Sequence, residues 1–492
     1  MREKKLKILF LSPEIVPFAK TGGLADVTGA LPSALKRLGV DVRLVLPCYR
    51  TARDANLKKR RLRKELRVPL GSETLRANIL ESRTETGVMT YLIERDDMYD
   101  RSNLYGNGFG DYYDNLERFS FFCHAGLKLS EAISFKPDVV HCHDWQTGLV
   151  PPLLKETRGK SSSLSGTPSI FTIHNIGYQG VFSEEKFSVT GLSRNDFFHP
   201  EGLEFWGKIS LLKAGIVYAD AVTTVSPGYA REIQTAEFGM GMEGILRQRK
   251  TDIHGILNGV DYRYWDPSKD RHLPANYSSK NMQGKRQCKK ALIKEMGLDP
   301  SLESRPLMGM VSRLGAQKGL DLLVKILNKI LALDVGLVVL GSGDRGIEQA
   351  IQKAAKRHPS RVGLFIGFND PLAHRLMAGA DMLLMPSRYE PCGLTQMYAL
   401  KYGTVPVVRV VGGLDDTIQQ FDPKTGEGNG FKFEPYTPKA FLDRILYAVD
   451  LYETGKVWRK LMRECMKADF SWKNSAREYM KLYESVLKRG AV

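Results

Sequence analysis

Short runs of leucine and β-branched residues recur along the chain, each followed by a longer segment with apolar residues at helical spacing. In the first half these runs are Ile8-Leu9-Phe10-Leu11, Val42-Arg43-Leu44-Val45-Leu46, Val139-Val140-His141, Ser169-Ile170-Phe171-Thr172-Ile173 and Ala221-Val222-Thr223-Thr224-Val225. A second series begins at Pro306-Leu307-Met308-Gly309-Met310-Val311 and continues through Val335 to Gly341, Val362 to Ile366 and Met382 to Pro386. Strand followed by helix, repeated, predicts a parallel, doubly wound sheet. Two series predict two such sheets, an α/β fold in which each domain is built in the same way. Between them lies Ile253-His254-Gly255-Ile256-Leu257-Asn258-Gly259-Val260-Asp261, then a polar stretch over 266–287 with Pro267 and Pro274. The expected hinge is near 250–260, giving domains over 1–252 and 253–470, and a last segment from Ser471 to Lys488 has a helical pattern.

The residues just past the first run bring in chemistry. Lys20-Thr21-Gly22-Gly23-Leu24-Ala25-Asp26-Val27 opens the apolar-periodic stretch Leu24 to Leu38, so the pattern reads strand, glycine-rich turn, helix start. Glycines admit a ligand close to the backbone, the helix start offers N–H groups and a positive dipole end, and Lys20 adds a charge. Phosphate is the expected guest. A second example, Val411-Gly412-Gly413-Leu414-Asp415-Asp416, comes after the apolar run Val405 to Val411. Each half is thus expected to bring a glycine-lipped turn to the carboxyl ends of its strands, where open α/β sheets bind ligands, with a cleft between the halves.

The 492 residues exceed what one hydrophobic core serves and suit two large domains. With 42% apolar and 26% charged residues the composition is that of an ordinary globular protein. No apolar run approaches the roughly 20 residues that span a bilayer, and Met1-Arg2-Glu3-Lys4-Lys5 leads straight into a first strand, so a cytoplasmic protein without a membrane partner is expected. Six scattered cysteines, Cys48, Cys123, Cys142, Cys288, Cys392 and Cys465, indicate neither a zinc site nor a disulfide framework. His141-Cys142-His143-Asp144 lies in a strand pattern, where neighbours alternate between faces and cannot all converge on one ion. The net charge of +17 and the run Lys58-Lys59-Arg60-Arg61-Leu62-Arg63-Lys64 raise the question of nucleic acid. No interleaved aromatics or binding module accompanies the run, so it reads as a solvated face, and the basic balance suits the collection of small anionic substrates.

At the ends of the second series, Ser312-Arg313-Leu314-Gly315-Ala316-Gln317-Lys318-Gly319 places two cations across a glycine-containing loop, which suits a diphosphate. The run Met382 to Pro386 leads into Ser387-Arg388-Tyr389-Glu390-Pro391-Cys392-Gly393-Leu394-Thr395-Gln396. There Glu390 can accept hydrogen bonds from hydroxyl groups, while the N–H groups of Gly393, Leu394 and Thr395 face a phosphate.

Taken in order, Pro17-Phe18-Ala19-Lys20-Thr21-Gly22-Gly23-Leu24, His143-Asp144-Trp145-Gln146, Thr172-Ile173-His174-Asn175-Ile176, Leu257-Asn258-Gly259-Val260-Asp261, Ser312 to Lys318 and Glu390-Pro391-Cys392-Gly393-Leu394-Thr395 resemble the bacterial glycogen synthase and plant starch synthase family over essentially the whole chain. The resemblance implies a GT-B glycosyltransferase: two Rossmann-like domains facing across a deep cleft, with the segment 471–492 as a helix crossing back to the first. It implies transfer of glucose from ADP-glucose to the 4-hydroxyl at the non-reducing end of an α-1,4-glucan, with retention. By resemblance Arg313 and Lys318 stabilise the leaving diphosphate, helped by N–H groups near Gly22 and Gly23 and at Leu394-Thr395. The carbonyl of His174 lies near the anomeric carbon and its imidazole holds the sugar 6-hydroxyl. Glu390 and Asn258 grip sugar hydroxyls, Asp144 orients sugar or acceptor hydroxyls, and Lys20, with Asp26 behind it, contacts phosphate or acceptor. Asn175, Cys392 and Gly393 complete the nucleotide-sugar site. Neither a metal nor pyridoxal phosphate is expected. A front-face displacement is favoured, the leaving phosphate oxygen taking the acceptor proton.

One departure stands out: Gly367-Phe368-Asn369-Asp370 has phenylalanine where many bacterial members have the tyrosine that stacks on adenine, which keeps a stacking face and loses a hydroxyl. Two other readings are a transferase of the same fold with another acceptor, of the sucrose or trehalose type, and a catalytically silent glucan-binding relative. The Lys20 and His143-Asp144-Trp145 motifs argue against the first, and the presence of Lys20, Arg313, Lys318 and Glu390 against the second. A glycogen phosphorylase fits less well still.

Overall fold

The structure, a computed structural model, describes residues 5–107, 110–158 and 162–489. It divides into two compact units, Met1–Gly259 together with Trp472–Val492, and Val260–Ser471.

In the first unit β1 (Lys7–Leu11), β2 (Asp41–Pro47), β3 (Arg60–Arg61), β4 (Leu66–Leu70), β5 (Glu73–Arg83), β6 (Met89–Glu94), β7 (Val139–His143) and β8 (Ser169–Ile173) are followed by three short strands, β9 (Val181–Ser183), β10 (Glu204–Phe205) and β11 (Lys208–Ser210), then by β12 (Ala221–Thr224) and β13 (Ile253–Gly255). The main sheet has the order β13-β12-β8-β7-β1-β2-β6-β5-β3, with β4 also paired to β5, while β9 to β11 form a separate sheet. From β13 to β6 every pairing is parallel. Beyond β6 the expected parallel order ends: β5 runs antiparallel to β6, as β3 and β4 do to β5. The cause is the connection, since Thr84 to Val88 close a tight turn with Gly87 at φ +73°, and so short a link joins only antiparallel neighbours. The basic run is neither helix nor free loop. Arg60 and Arg61 form the edge strand β3 and pair with Glu81 and Glu94, which makes that edge a charged one, a poor template for another strand.

The second unit holds β14 (Leu307–Val311), β15 (Gly336–Gly341), β16 (Val362–Ile366), β17 (Met382–Met385), β18 (Val405–Arg409) and β19 (Phe431–Phe433), in the order β16-β15-β14-β17-β18-β19. All five pairings are parallel. Both faces of its central strands are covered: β15 and β17 are buried throughout.

The boundary read after Asp252 moves to Gly259. Ile253–Gly255 pairs with β12 and completes the first sheet, and three residues are too few for periodicity to assign. The helix Trp472–Arg489 belongs to the first unit. Its buried residues Trp472, Ser475, Ala476, Tyr479, Leu482, Tyr483 and Val486 recur at three- and four-residue steps, the apolar stripe of a helix covering a core. Tyr483 reaches the ring of His141 inside that core, its hydroxyl 2.9 Å from Nδ1.

In each sheet one strand is where the winding reverses. β1 lies between β2 and β7, and β14 between β15 and β17. Crevices for ligands form at the carboxyl ends of strands beside such a reversal. Among the described residues no helix is long and apolar enough to cross a membrane, and all six cysteines are buried and none forms a disulfide.

Candidate active site

The loop leaving β1 carries the Lys20 turn, and its geometry departs from a simple phosphate cradle. Helix Gly23–Arg37 starts after Gly22 with no side-chain cap. Glu14, 4% exposed, accepts hydrogen bonds from the N–H of Thr21 at 2.6 Å and of Gly22 at 3.2 Å, from the Thr21 hydroxyl at 2.6 Å and from Tyr105 at 2.8 Å. A protein carboxylate therefore occupies the first two N–H groups of the turn, and an incoming anion is left to the helix start at Gly23 and to Lys20. Lys20 itself lies 2.7 Å from Asp26, both partly exposed.

At the ends of β7 and β8 a second group assembles. Asp144 has φ +57°, a backbone strain found mostly where function holds it in place. Its carboxylate accepts the backbone N–H of His174 at 2.7 Å. The imidazole of His174 meets His143, Nε2 to Nδ1 at 3.0 Å. Burial lowers the His174 pKa to about 3 and drives His143 well below its usual range, where the neighbouring rings add to the effect. Both are therefore neutral at physiological pH, and the Nδ1 side of His174 is left to meet a ligand. Asp144 is pushed the other way, up to about 7, by burial first and also by the charge of Glu14, against the hydrogen bonds from His174 and Asn175. His141 is engaged elsewhere, with Tyr483 and with Thr172 at 2.7 Å, so the His-Cys-His-Asp run is a polar core ladder rather than an ion site. Asn175 accepts the Gly177 N–H. Asn258, in the first unit rather than the second, is 5% exposed with its Oδ1 unpartnered.

Asp144 yields a signed pH prediction. Because its folded pKa lies above the unfolded value of 3.8, the folded chain holds a proton that the unfolded chain releases. That stabilisation is complete below about pH 4 and is lost as pH rises to about 7, at roughly 1.4 kcal/mol for each pH step of one across that window. Asp144→Asn keeps an acceptor oxygen for His174 and removes the titration. In denaturant melts at pH 5 and pH 8, the variant is expected to gain on the parent protein by a few kcal/mol at the higher pH; parallel profiles would show that Asp144 is already ionised in the folded chain.

In the second unit the ends of β14 and β17 meet. Gly319 has φ +72°, and a Cβ there would lie 1.8 Å from the Pro386 carbonyl, so only glycine lets the two loops pack backbone to backbone. Arg388 N–H also donates to the Gln317 carbonyl at 2.8 Å. This approach delivers Lys318 onto Glu390: Nζ lies 2.8 Å from Oε1 and 2.7 Å from Oε2. Glu390 is 5% exposed and also accepts from Ser387 at 2.9 Å. Arg313 contacts Gln317 at 3.4 Å on the same loop. Cys392 is buried, Gly393 has φ +71°, and Leu394 precedes the helix Thr395–Lys401, which has no side-chain cap. Phe368 is 81% exposed, as a stacking platform requires.

The second glycine pair differs from the first. Gly412 and Gly413 are buried, Gly413 N–H donates to the Glu390 carbonyl at 3.1 Å, and a Cβ on Gly413 would lie 2.1 Å from the Cys392 carbonyl. It braces the Glu390 loop by close packing instead of lining an open turn. Three residues that the motifs did not single out complete the picture: Glu14, Tyr105 and Ser387. Glu14 had a signal, an acid just past a strand end and shortly before Thr-Gly-Gly, because N–H groups at a helix start attract any carboxylate within reach.

Two α/β units, one with a wholly parallel sheet and one parallel from β13 to β6, with these groups at their winding reversals, are those of a GT-B-type glycosyltransferase. Residues 7–248 match the starch synthase catalytic domain family and residues 299–464 the glycosyl transferases group 1 family. A glycogen synthase of Anaeromyxobacter sp. is 47% identical over 98% of this chain and 99% of its own, and one of Geotalea uraniireducens 45% identical over 98% and 99%. Among solved structures, the catalytic domain of starch synthase IV from Arabidopsis thaliana bound to ADP and acarbose superposes with a TM-score of 0.92 at 33% identity, covering 99% of this chain and all of that one. A sucrose-phosphate synthase from Thermosynechococcus elongatus shares the fold, with a TM-score of 0.62 at 16% identity over 99% of this chain. The chain belongs to the glycogen synthase and starch synthase family.

Proposed function

We propose that the protein transfers glucose from ADP-glucose to the 4-hydroxyl at the non-reducing end of an α-1,4-glucan, releasing ADP with retention at the anomeric carbon. The observation that carries the reading is the Lys318–Glu390 pair beside the β14/β17 reversal, with both carboxylate oxygens engaged by one ammonium. A retaining hydrolase uses two carboxyl groups about 5 Å apart, one as nucleophile; a carboxylate held by a lysine and a serine hydroxyl serves better as a hydrogen-bond acceptor. In the reaction Lys318, still bonded to Glu390, offers its remaining N–H to the leaving diphosphate with Arg313, and the free lone pairs of Glu390 take up sugar hydroxyls. Gly23, Lys20, Gly393, Leu394 and Thr395 supply further anion contacts, and Cys392 shapes the same loop. His174, neutral and held by Asp144, offers its ring to a hydroxyl and its carbonyl to developing positive charge. Asn175 and Asn258 position the sugar, and Phe368 stacks on the base. The leaving oxygen takes the acceptor proton. The chain's own residues carry each step without a resident cofactor, in the cytoplasm.

The test is release of nucleoside diphosphate from ADP-glucose and from UDP-glucose, each with and without glycogen. Release of ADP that requires glycogen is expected. Release from UDP-glucose alone would keep the class of reaction and change the donor; no release from either would favour a glucan-binding role without turnover.

A further inference from the structure

Away from Lys318 and Glu390, the second unit contains a second cluster that the transfer reaction does not use. His272, Asp370 and His374 each present one nitrogen or oxygen within 4.8 Å of the other two. His374 is wholly buried, and its Nε2 has no hydrogen-bond partner; nor does the buried Nε2 of His272. Orphaned buried polar atoms are rare in folded proteins and call for an occupant. The nearest carboxylate oxygen, Asp370 Oδ2, is 4.0 Å from His374 Nε2, too far for a hydrogen bond and close to the span of two ligands across one ion.

The surroundings fix the chemistry of these nitrogens. Asp270 accepts from His374 Nδ1 at 2.6 Å, from the Tyr402 hydroxyl at 2.5 Å and from the backbone N–H of His272 at 2.8 Å. An imidazole that donates Nδ1–H to a carboxylate presents a lone pair at Nε2, the arrangement that orients histidine ligands around metals. The His374 ring cannot turn away. It stacks on Trp265 at 3.7 Å and 7°, Trp265 stacks on Tyr398 at 4.0 Å, and Tyr264 closes the edge at 4.8 Å. The remaining two ligands are adjustable: His272 lies in the polar loop after Asp270, and the partly exposed Asp370 starts the helix Asp370–Gly379, its carboxylate bonded to Tyr264.

We propose that His272 Nε2, His374 Nε2 and an Asp370 oxygen bind one divalent transition-metal ion of the zinc class, with a fourth position open to water. Two imidazoles and a carboxylate suit such an ion, whose ligands lie about 2.0–2.2 Å away; a contraction of the cluster by about 1.5 Å achieves this. The ion would clip the loop after Trp265 to the helix that begins two residues beyond Phe368. Sequence spacing held no sign of it, because the two histidines are far apart in the chain and no cysteine takes part, so the expectation of a metal-free chain applies to the reaction and not to this clip.

The experiment uses the full chain, without a histidine tag and stripped with chelator, titrated with zinc chloride and followed by calorimetry, by metal content after gel filtration and by the fluorescence of the tryptophans. One equivalent bound, with a higher melting temperature, is expected for the parent protein. His272→Ala and Asp370→Asn should each weaken uptake at least tenfold while melting as the stripped parent does, and His272→Cys should restore uptake and give a thiolate charge-transfer band with cobalt. Absence of stoichiometric uptake by the parent, or uptake that both single variants retain, overturns the site and leaves the orphaned nitrogens to a bound water.

Discussion

Glu390→Ala is expected to lower kcat by about a thousandfold while the donor's dissociation constant changes by less than tenfold. Glu390 sits at the end of β17 with its carboxylate already oriented by Lys318 and Ser387. A group held in place before the substrate arrives contributes most where charge and geometry change most, in the transition state. Single-turnover ADP release and equilibrium binding of ADP-glucose without acceptor separate the two quantities. Near-native turnover would remove Glu390 from the reaction.

Lys318→Ala is expected to lose glycogen-dependent ADP release and stability together. Its side chain is 20% exposed and that of Glu390 6%, so removing the ammonium leaves a buried carboxylate without its partner, a change that costs about 3–5 kcal/mol in comparable pairs. The double variant Lys318→Ala with Glu390→Gln separates the two losses. Neutralising the stranded carboxylate should recover most of the stability in urea melts and none of the turnover. Equal destabilisation in the single and double variants would mean that packing by the lysine stem, and not charge, is what was lost.

How far the sequence could be read depends on the reach of each interaction. The strands announced themselves because consecutive apolar residues fill both faces of a covered parallel sheet. The edge at β3 to β5 did not, since its partners are set by one tight turn and by charge pairs rather than by a run of apolar residues. Lys318 and Glu390 were each legible as strand-end chemistry. Their ion pair was not, because it depends on Gly319 meeting Pro386 backbone to backbone, a contact between loops far apart in the chain. Gly412 and Gly413 show the converse error: the same two letters as Gly22 and Gly23, yet buried under Cys392 instead of exposed at a turn. Glycine admits close approach, and the sequence does not say by what. The pH behaviour of Asp144 and His174 was equally hidden, being a consequence of burial and of Glu14 lying nearby.

The helix Trp472–Arg489 also dictates an order of events during synthesis. The second unit is a single uninterrupted stretch of chain, entered at Val260 and left at Ser471, where the Val260 N–H donates to the Phe470 carbonyl and the two ends run side by side. It can emerge from the ribosome complete. The first unit begins translation earlier and finishes later, because Trp472 packs on Gly259 and Tyr483 supplies the hydroxyl that His141 bonds in its core. For the whole time that the second unit is being made, the first has an uncovered apolar flank, and a nascent chain stalled before Trp472 would present that flank to whatever chaperone waits at the exit.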